Sequence, residues 1–109
     1  MEIKDVPFGV TDWAGVPRTE HKGENGVAWW RTREIGNLRV RMVDYSPGYL
    51  ADHWCSRGHV LLVLDGELVT ELQDGTSHVL RAGQSYQVAD HAMPHRSRTK
   101  DGAKLFIVD

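Results

Sequence analysis

The stretch Ala51-Asp52-His53-Trp54-Cys55-Ser56-Arg57-Gly58-His59 gathers two histidines and the chain's only cysteine within seven positions. Imidazole nitrogen and thiolate sulfur are donors for transition ions, whereas calcium and magnesium prefer carboxylate and carbonyl oxygen. A second polar run, Val88 to Ser97, carries His91 and His95. Each of these residues has an ordinary explanation by itself. A lone cysteine in a strand behaves as a small apolar side chain, and a single histidine is usually hydrogen-bonded and not metallated. Their joint spacing singles them out, provided the fold brings the two runs together.

The elements that must do so read as strands. Asp-Gly occurs at 65–66, 74–75 and 101–102, Gly-Asn at 36–37 and Pro-Gly at 47–48, each between short apolar or alternating runs, as hairpin turns require. No stretch keeps helical periodicity for three turns. Segments 25–34, 38–45, 59–64, 67–73, 77–81, 85–89 and 104–109 are rich in Val, Leu and aromatic residues and read as strands. The expectation is an all-β fold in one domain, with the strands closed into an antiparallel barrel or sandwich. Residues 1–26, with Pro7, Pro17 and four glycines, read as an irregular arm leading into a barrel formed by residues 27–109. The run 50–55 is expected to be extended, joined to or paired with the strand that ends at Asp65-Gly66. Period-two alternation then puts His53 and Cys55 on one face and Trp54 on the other, with His59 returning to the first. In a barrel the 88–97 run can lie beside them.

Composition limits what such a site could serve. The chain has 109 residues, 40% hydrophobic and 26% charged, which suits one soluble domain. A formal charge of −2 gives no reason to expect nucleic acid. One cysteine cannot close an intrachain disulfide. The first ten residues carry acids and a proline where a signal peptide would have its apolar stretch, and the aliphatic run Val60–Leu64 is too short to span a bilayer. These features read as a cytoplasmic protein with no membrane partner.

The spacing resembles the cupins. Their first motif is His-x-His, three residues, Glu, six residues, Gly; His53, Cys55, His59 and Gly66 keep that spacing throughout. Their second motif runs from a glycine to a histidine after a proline, which is similar to Gly83 through Pro94-His95 with one extra residue. More narrowly, the chain resembles the small single-domain cupins named for a DHCW motif, although the letters stand here as Asp52-His53-Trp54-Cys55. The resemblance implies a cupin (RmlC-like) jelly-roll β-barrel and a divalent ion held by three histidines and a glutamate. Here Cys55 stands in place of a histidine and His59 in place of the glutamate, so the set still offers three imidazoles and one anion. A thiolate for a carboxylate softens the site towards Zn, Ni or Cu(I), with Fe(II) still accommodated. The expected metal ligands are therefore His53, Cys55, His59 and His95, and the expected cofactor is a divalent transition metal, Zn, Ni or Fe. His91 reads as a turn or rim residue, and His21 and His78 as exposed.

Alternation could also turn some of Trp29, Arg31, Arg33, Arg39, Arg41, Tyr45, Tyr49 and Tyr86 inward, where an arginine would suit an anionic substrate. An exposed arginine stripe backed by aromatic packing is the favoured alternative, because charges are rarely buried unpaired. Trp13 is expected to pin the arm to the barrel, and Glu67 and Glu71 to be solvated. Three functions compete: a metal-dependent enzyme on a small molecule, which is preferred, a metal or metabolite sensor, and a purely structural metal site. Tyr86 or His91 could move a proton in the first. A homodimer is expected, because the arm could cover a neighbour's edge strand.

Overall fold

Strand β4 (His59–Leu72) is fourteen residues long and organises the fold by changing partners half-way. Its first half lies between β8 (Ala103–Val108) and β6 (Ser85–Val88). Its second half lies between β5 (Ser77–Arg81) and β7 (His95–Arg98). The sheet continues from β8 through β3 (Leu38–Tyr45) and β2 (Val27–Ile35) to β1 (Arg18–Lys22), every pairing antiparallel. This is the antiparallel jelly-roll barrel that the sequence led us to expect. The computed structural model describes residues 2–109; Met1, the first residue of the expected arm, lies outside them.

The core follows from alternation interrupted once. Leu61 and Val63 are buried in the first half of β4, Leu68 and Thr70 in the second, so the inward parity switches from odd to even. A register shift between Val63 and Asp65 makes the switch, as a β-bulge must. Both halves thereby face one core with Val43, Leu80, Leu105 and Ile107. Each of these aliphatic side chains contributes on the order of 2 kcal/mol by leaving water.

Three expectations are corrected here. Asp65-Gly66 is not a turn but lies within β4, opposite Lys104 and Ala103. The pairing across β8 overrides the local turn preference, and the dipeptide supplies the bend instead. Gly66 has φ +80°, and a Cβ there would lie 2.3 Å from the Gly102 carbonyl oxygen, so only glycine fits. The other four turn dipeptides do lie between strands, at 36–37, 47–48, 74–75 and 101–102. Secondly, residues 50–58 form no strand; single bridges, Leu50 to Asn25 and Arg98 and Cys55 to His95, are the sheet contacts of this stretch. Thirdly, residues 18–22 of the presumed irregular arm form β1 and pair with β2. Trp13 does hold the arm down: its ring meets Phe106 edge-on at 6.4 Å, and Arg31 donates to its carbonyl at 3.1 Å. Among the described residues no helix is long and apolar enough to cross a membrane.

Two glycines separate the cost of backbone conformation from that of crowding. Gly48 and Gly66 both have positive φ, +78° and +80°, but a Cβ at Gly48 meets open space. Gly48→Ala should cost about 1 kcal/mol, and Gly66→Ala about 3 kcal/mol or more because backbone must also move. Urea denaturation midpoints compare the two directly; equal losses would mean that the Gly66–Gly102 approach places no demand on residue 66.

Candidate metal centre

Loop 51–58 is fixed to the barrel by main-chain bonds, and these bonds decide where its side chains go. Cys55 and His95 exchange backbone hydrogen bonds, Cys55 N to His95 O at 2.8 Å and His95 N to Cys55 O at 3.0 Å. Residues paired in this way project side chains to the same face. His91 N donates to Ser56 O at 2.8 Å and Gly58 N to Asp90 Oδ1 at 2.6 Å, tying the loop to the turn before β7. His53, Cys55, His59 and His95 consequently all line one cavity of about 210 Å³. Trp54 points elsewhere and lies under the Arg96 guanidinium at 4.8 Å. The expected division of faces therefore holds without the expected strand.

His59 and His95 form the centre of this cavity. The His95 Nδ1 donates to the Met93 carbonyl at 2.8 Å, which leaves the lone pair on Nε2. Burial pushes the His95 ring towards its neutral form, against the Met93 carbonyl, and His59 adds to that push. The Nε2 of His59 lies 3.1 Å from the Nε2 of His95 and 2.7 Å from the Tyr86 hydroxyl oxygen. The His59 Nδ1 is buried without a hydrogen-bond partner, 3.7 Å from an Asp109 carboxylate oxygen.

Neither neutral tautomer of His59 satisfies this arrangement. A proton on Nε2 suits His95 but turns a bare Nδ1 lone pair towards the carboxylate. A proton on Nδ1 suits Asp109 and lets Tyr86 donate to Nε2, but two Nε2 lone pairs then confront each other at 3.1 Å. A cation held between the two Nε2 atoms, a metal ion or a proton, removes the conflict. The spacing also suits two ligands of one ion, because imidazole nitrogens about 2.1 Å from a metal and about 90–110° apart lie about 3.0–3.4 Å from each other.

The remaining two expected ligands are near but not gathered. Among the described residues no group of three or more His, Cys, Asp or Glu is placed to hold a metal ion as it stands. Cys55 is half-buried and has a free thiol. His53 stands at the rim, its side chain 74% exposed, with Nδ1 held 2.6 Å from Asp52 Oδ1, which leaves Nε2 free. His91 lies in the turn with φ +60° and does not line the cavity. His78 is exposed. His21 is not: it stacks on Trp30 at 3.7 Å, because β1 lays it over β2.

The arginine stripe expected on the surface is partly internal. Arg39 and Arg41 line the cavity with Tyr45, Tyr49 and Tyr86, whereas Arg33 is exposed and Arg31 donates to carbonyls of the 13–16 segment. The partner that sequence reasoning missed is Asp109. Its side chain is 1% exposed, accepts two bonds from Arg39 at 2.8 and 2.9 Å and one from Arg41 at 3.1 Å, and lies 3.6 Å from Arg57. Burial opposes its charge, but the hydrogen bonds from Arg39 and the charges of both arginines hold its carboxyl well below the usual range. Arg41 and Arg39 in turn stack against Trp30, at 4.4 and 5.6 Å from the ring centre. Glu71 is likewise not free in solvent: it bridges Arg96 and Arg98 at 2.7 Å each. Glu67 is half exposed, 3.5 Å from Arg81.

The architecture recurs in solved structures. The chain superimposes on Fe(II)-HppE with a TM-score of 0.77 and 18% identity, over 96% of this chain and 62% of that one. A sugar phosphate isomerase from the cupin superfamily of Silicibacter pomeroyi gives 0.72 and 16%, over 92% and 74%. A cupin-2 domain protein from Shewanella frigidimarina gives 0.61 and 20%, over 73% and 78%. These likenesses establish the fold: the chain folds as a jelly-roll barrel of the kind the cupins have. No protein-family model and no curated protein matches it.

Asp109 generates a pH-dependent expectation. Its carboxyl titrates lower when folded than when unfolded, so its contribution to stability is complete above about pH 4 and is lost as pH falls through that value and below. Asp109→Asn strands two guanidiniums and should cost about 3 kcal/mol at pH 7. The gap to wild type should narrow towards pH 2. Melting curves across that range check this, and a gap independent of pH would show that the carboxylate charge is not what stabilises the cluster.

Proposed function

We propose that the cavity binds one divalent transition metal, Zn, Ni or Fe, through His59 and His95 with Cys55 and His53, and that the protein is a metal-dependent enzyme acting on a small molecule. The observation that carries this reading is the pair of imidazole Nε2 atoms 3.1 Å apart beside an orphaned, buried Nδ1. Neighbours of the same fold include HppE solved with Fe(II) and a sugar phosphate isomerase, which supports a metal-binding cupin in general terms. A bound ion would supply Lewis-acid polarisation of a substrate oxygen.

The chain's own residues would do the rest. Met93 fixes the tautomer and orientation of His95 through Nδ1. Asp109 sits behind His59 as carboxylates sit behind metal-ligating histidines, favouring a proton on Nδ1 and a free Nε2. Tyr86 is pushed strongly upward by burial, so it keeps its proton and would donate it into the cavity. A space of about 210 Å³ beside the imidazole pair leaves room for a substrate, which favours an enzyme over a closed structural site.

Metal analysis after purification without added ions should find about one equivalent in the wild type. His95→Ala and His59→Ala should each lose it. Cys55→Ser should weaken soft ions such as Zn more than hard ones such as Mn, and the metal-free protein should melt lower than the loaded form. If His59→Ala and His95→Ala keep full metal, the ion is held elsewhere and the assignment fails.

A further inference from the structure

The charges around the cavity do not balance. Arg39, Arg41 and Arg57 share one side-chain carboxylate, Asp109, at 2.8, 3.1 and 3.6 Å. Arg96, which also lines the cavity, is matched by Glu71 at 2.7 Å. Arg57 is half exposed, so the excess positive charge against the cavity comes from Arg39 and Arg41, which share that one side-chain carboxylate, Arg41 with a side chain only 7% exposed. Buried charge is normally paired, because an unpaired ion loses several kcal/mol of hydration. The Arg41 Nε, moreover, is buried with no hydrogen-bond partner.

The geometry points to a small organic oxyanion, with a carboxylate or phosphate-type head, as the ligand of this cavity, its head held by Arg39 and Arg41. This rests on the reading of the cavity as a substrate site and names the substrate class. Arg39 spends its Nε and Nη2 on Asp109 and Arg41 its Nη2, which leaves Arg39 Nη1 and the remaining N–H groups of Arg41, its unpartnered Nε among them, as charged donors for an oxyanion. The Arg41 Nη2 and the His59 Nδ1 face the same Asp109 oxygen, at 3.1 and 3.7 Å, so the basic wall stands directly beside the imidazole pair. The cavity of about 210 Å³ leaves room beside the imidazole pair for the head of a compact acid. Tyr45 and Tyr49 stack at 4.2 Å on the cavity wall; the Tyr45 hydroxyl is engaged with Ser97, and burial keeps the Tyr49 hydroxyl protonated as a further donor.

The test is titration calorimetry at constant ionic strength on the protein as purified and after chelator treatment. The probes are benzoate, pyruvate, inorganic phosphate and methylphosphonate, with benzamide as the neutral counterpart. At least one anion should bind saturably while benzamide does not, and the responding arm identifies carboxylate or phosphate. Arg39→Gln should weaken it about tenfold, the loss of one charge-assisted hydrogen bond, with metal content unchanged; exposed Arg33→Gln should leave it unaltered. Arg41→Lys repeats the test with the charge retained and the fork removed. Binding that survives chelation while no metal is ever found would overturn the metal reading alone. Absence of anion binding in both preparations, or equal binding by Arg39→Gln and wild type, would overturn this proposal.

Discussion

One buried carboxylate holds the working end of this barrel together. Asp109, at 1% exposure, collects Arg39 from the start of β3, Arg41 two residues later, and Arg57 from the loop, and it backs His59 at the start of β4. Two main-chain bonds between Arg39 and Asp109 fix the carboxylate in register. Removing an ion pair from water costs several kcal/mol per ion, so such a cluster adds little net stability over apolar packing. What it achieves is position. Without Asp109, the arginine wall would have no common anchor, and no carboxylate would stand behind His59.

The barrel serves that cluster by bringing distant segments together. β4 carries His59 at one end and pairs with β7 at the other, where Leu72 opposes His95. The bend at Gly66 is therefore what lets a single strand place its first residue close to the partner of its last. His59 and His95 stand thirty-six positions apart in sequence and 3.1 Å apart in space. Loop 51–58 then needs only the Cys55–His95 bridge to bring a thiol to the same cavity.

Much of this was legible in the sequence because it depends on local pattern. Val, Leu and aromatic alternation revealed the strands, and four of the five turn dipeptides lie between strands. The motif spacing of His53, Cys55, His59 and His95 anticipated that all four would line one cavity. What failed was non-local. Asp65-Gly66 looks like a turn until β8 is known to pair across it. Arg41 looks like a surface residue until Asp109, sixty-eight positions away, supplies the counter-charge that permits burial. The loop 51–58 alternates like a strand, yet it is fixed by isolated bridges and hydrogen bonds, which periodicity does not encode.

If the His59–His95 pair is a metal site with Cys55 at its edge, a bound ion must show both nitrogen and sulfur donors. Cobalt(II) titration of the chelator-treated protein tests it most directly, because the spectrum reports both stoichiometry and the donor atoms. Saturation is expected at about one equivalent, with a near-ultraviolet thiolate-to-cobalt charge-transfer band that Cys55→Ser removes and His95→Ala prevents. A spectrum indistinguishable from cobalt free in buffer, or one unchanged by His95→Ala, would contradict it.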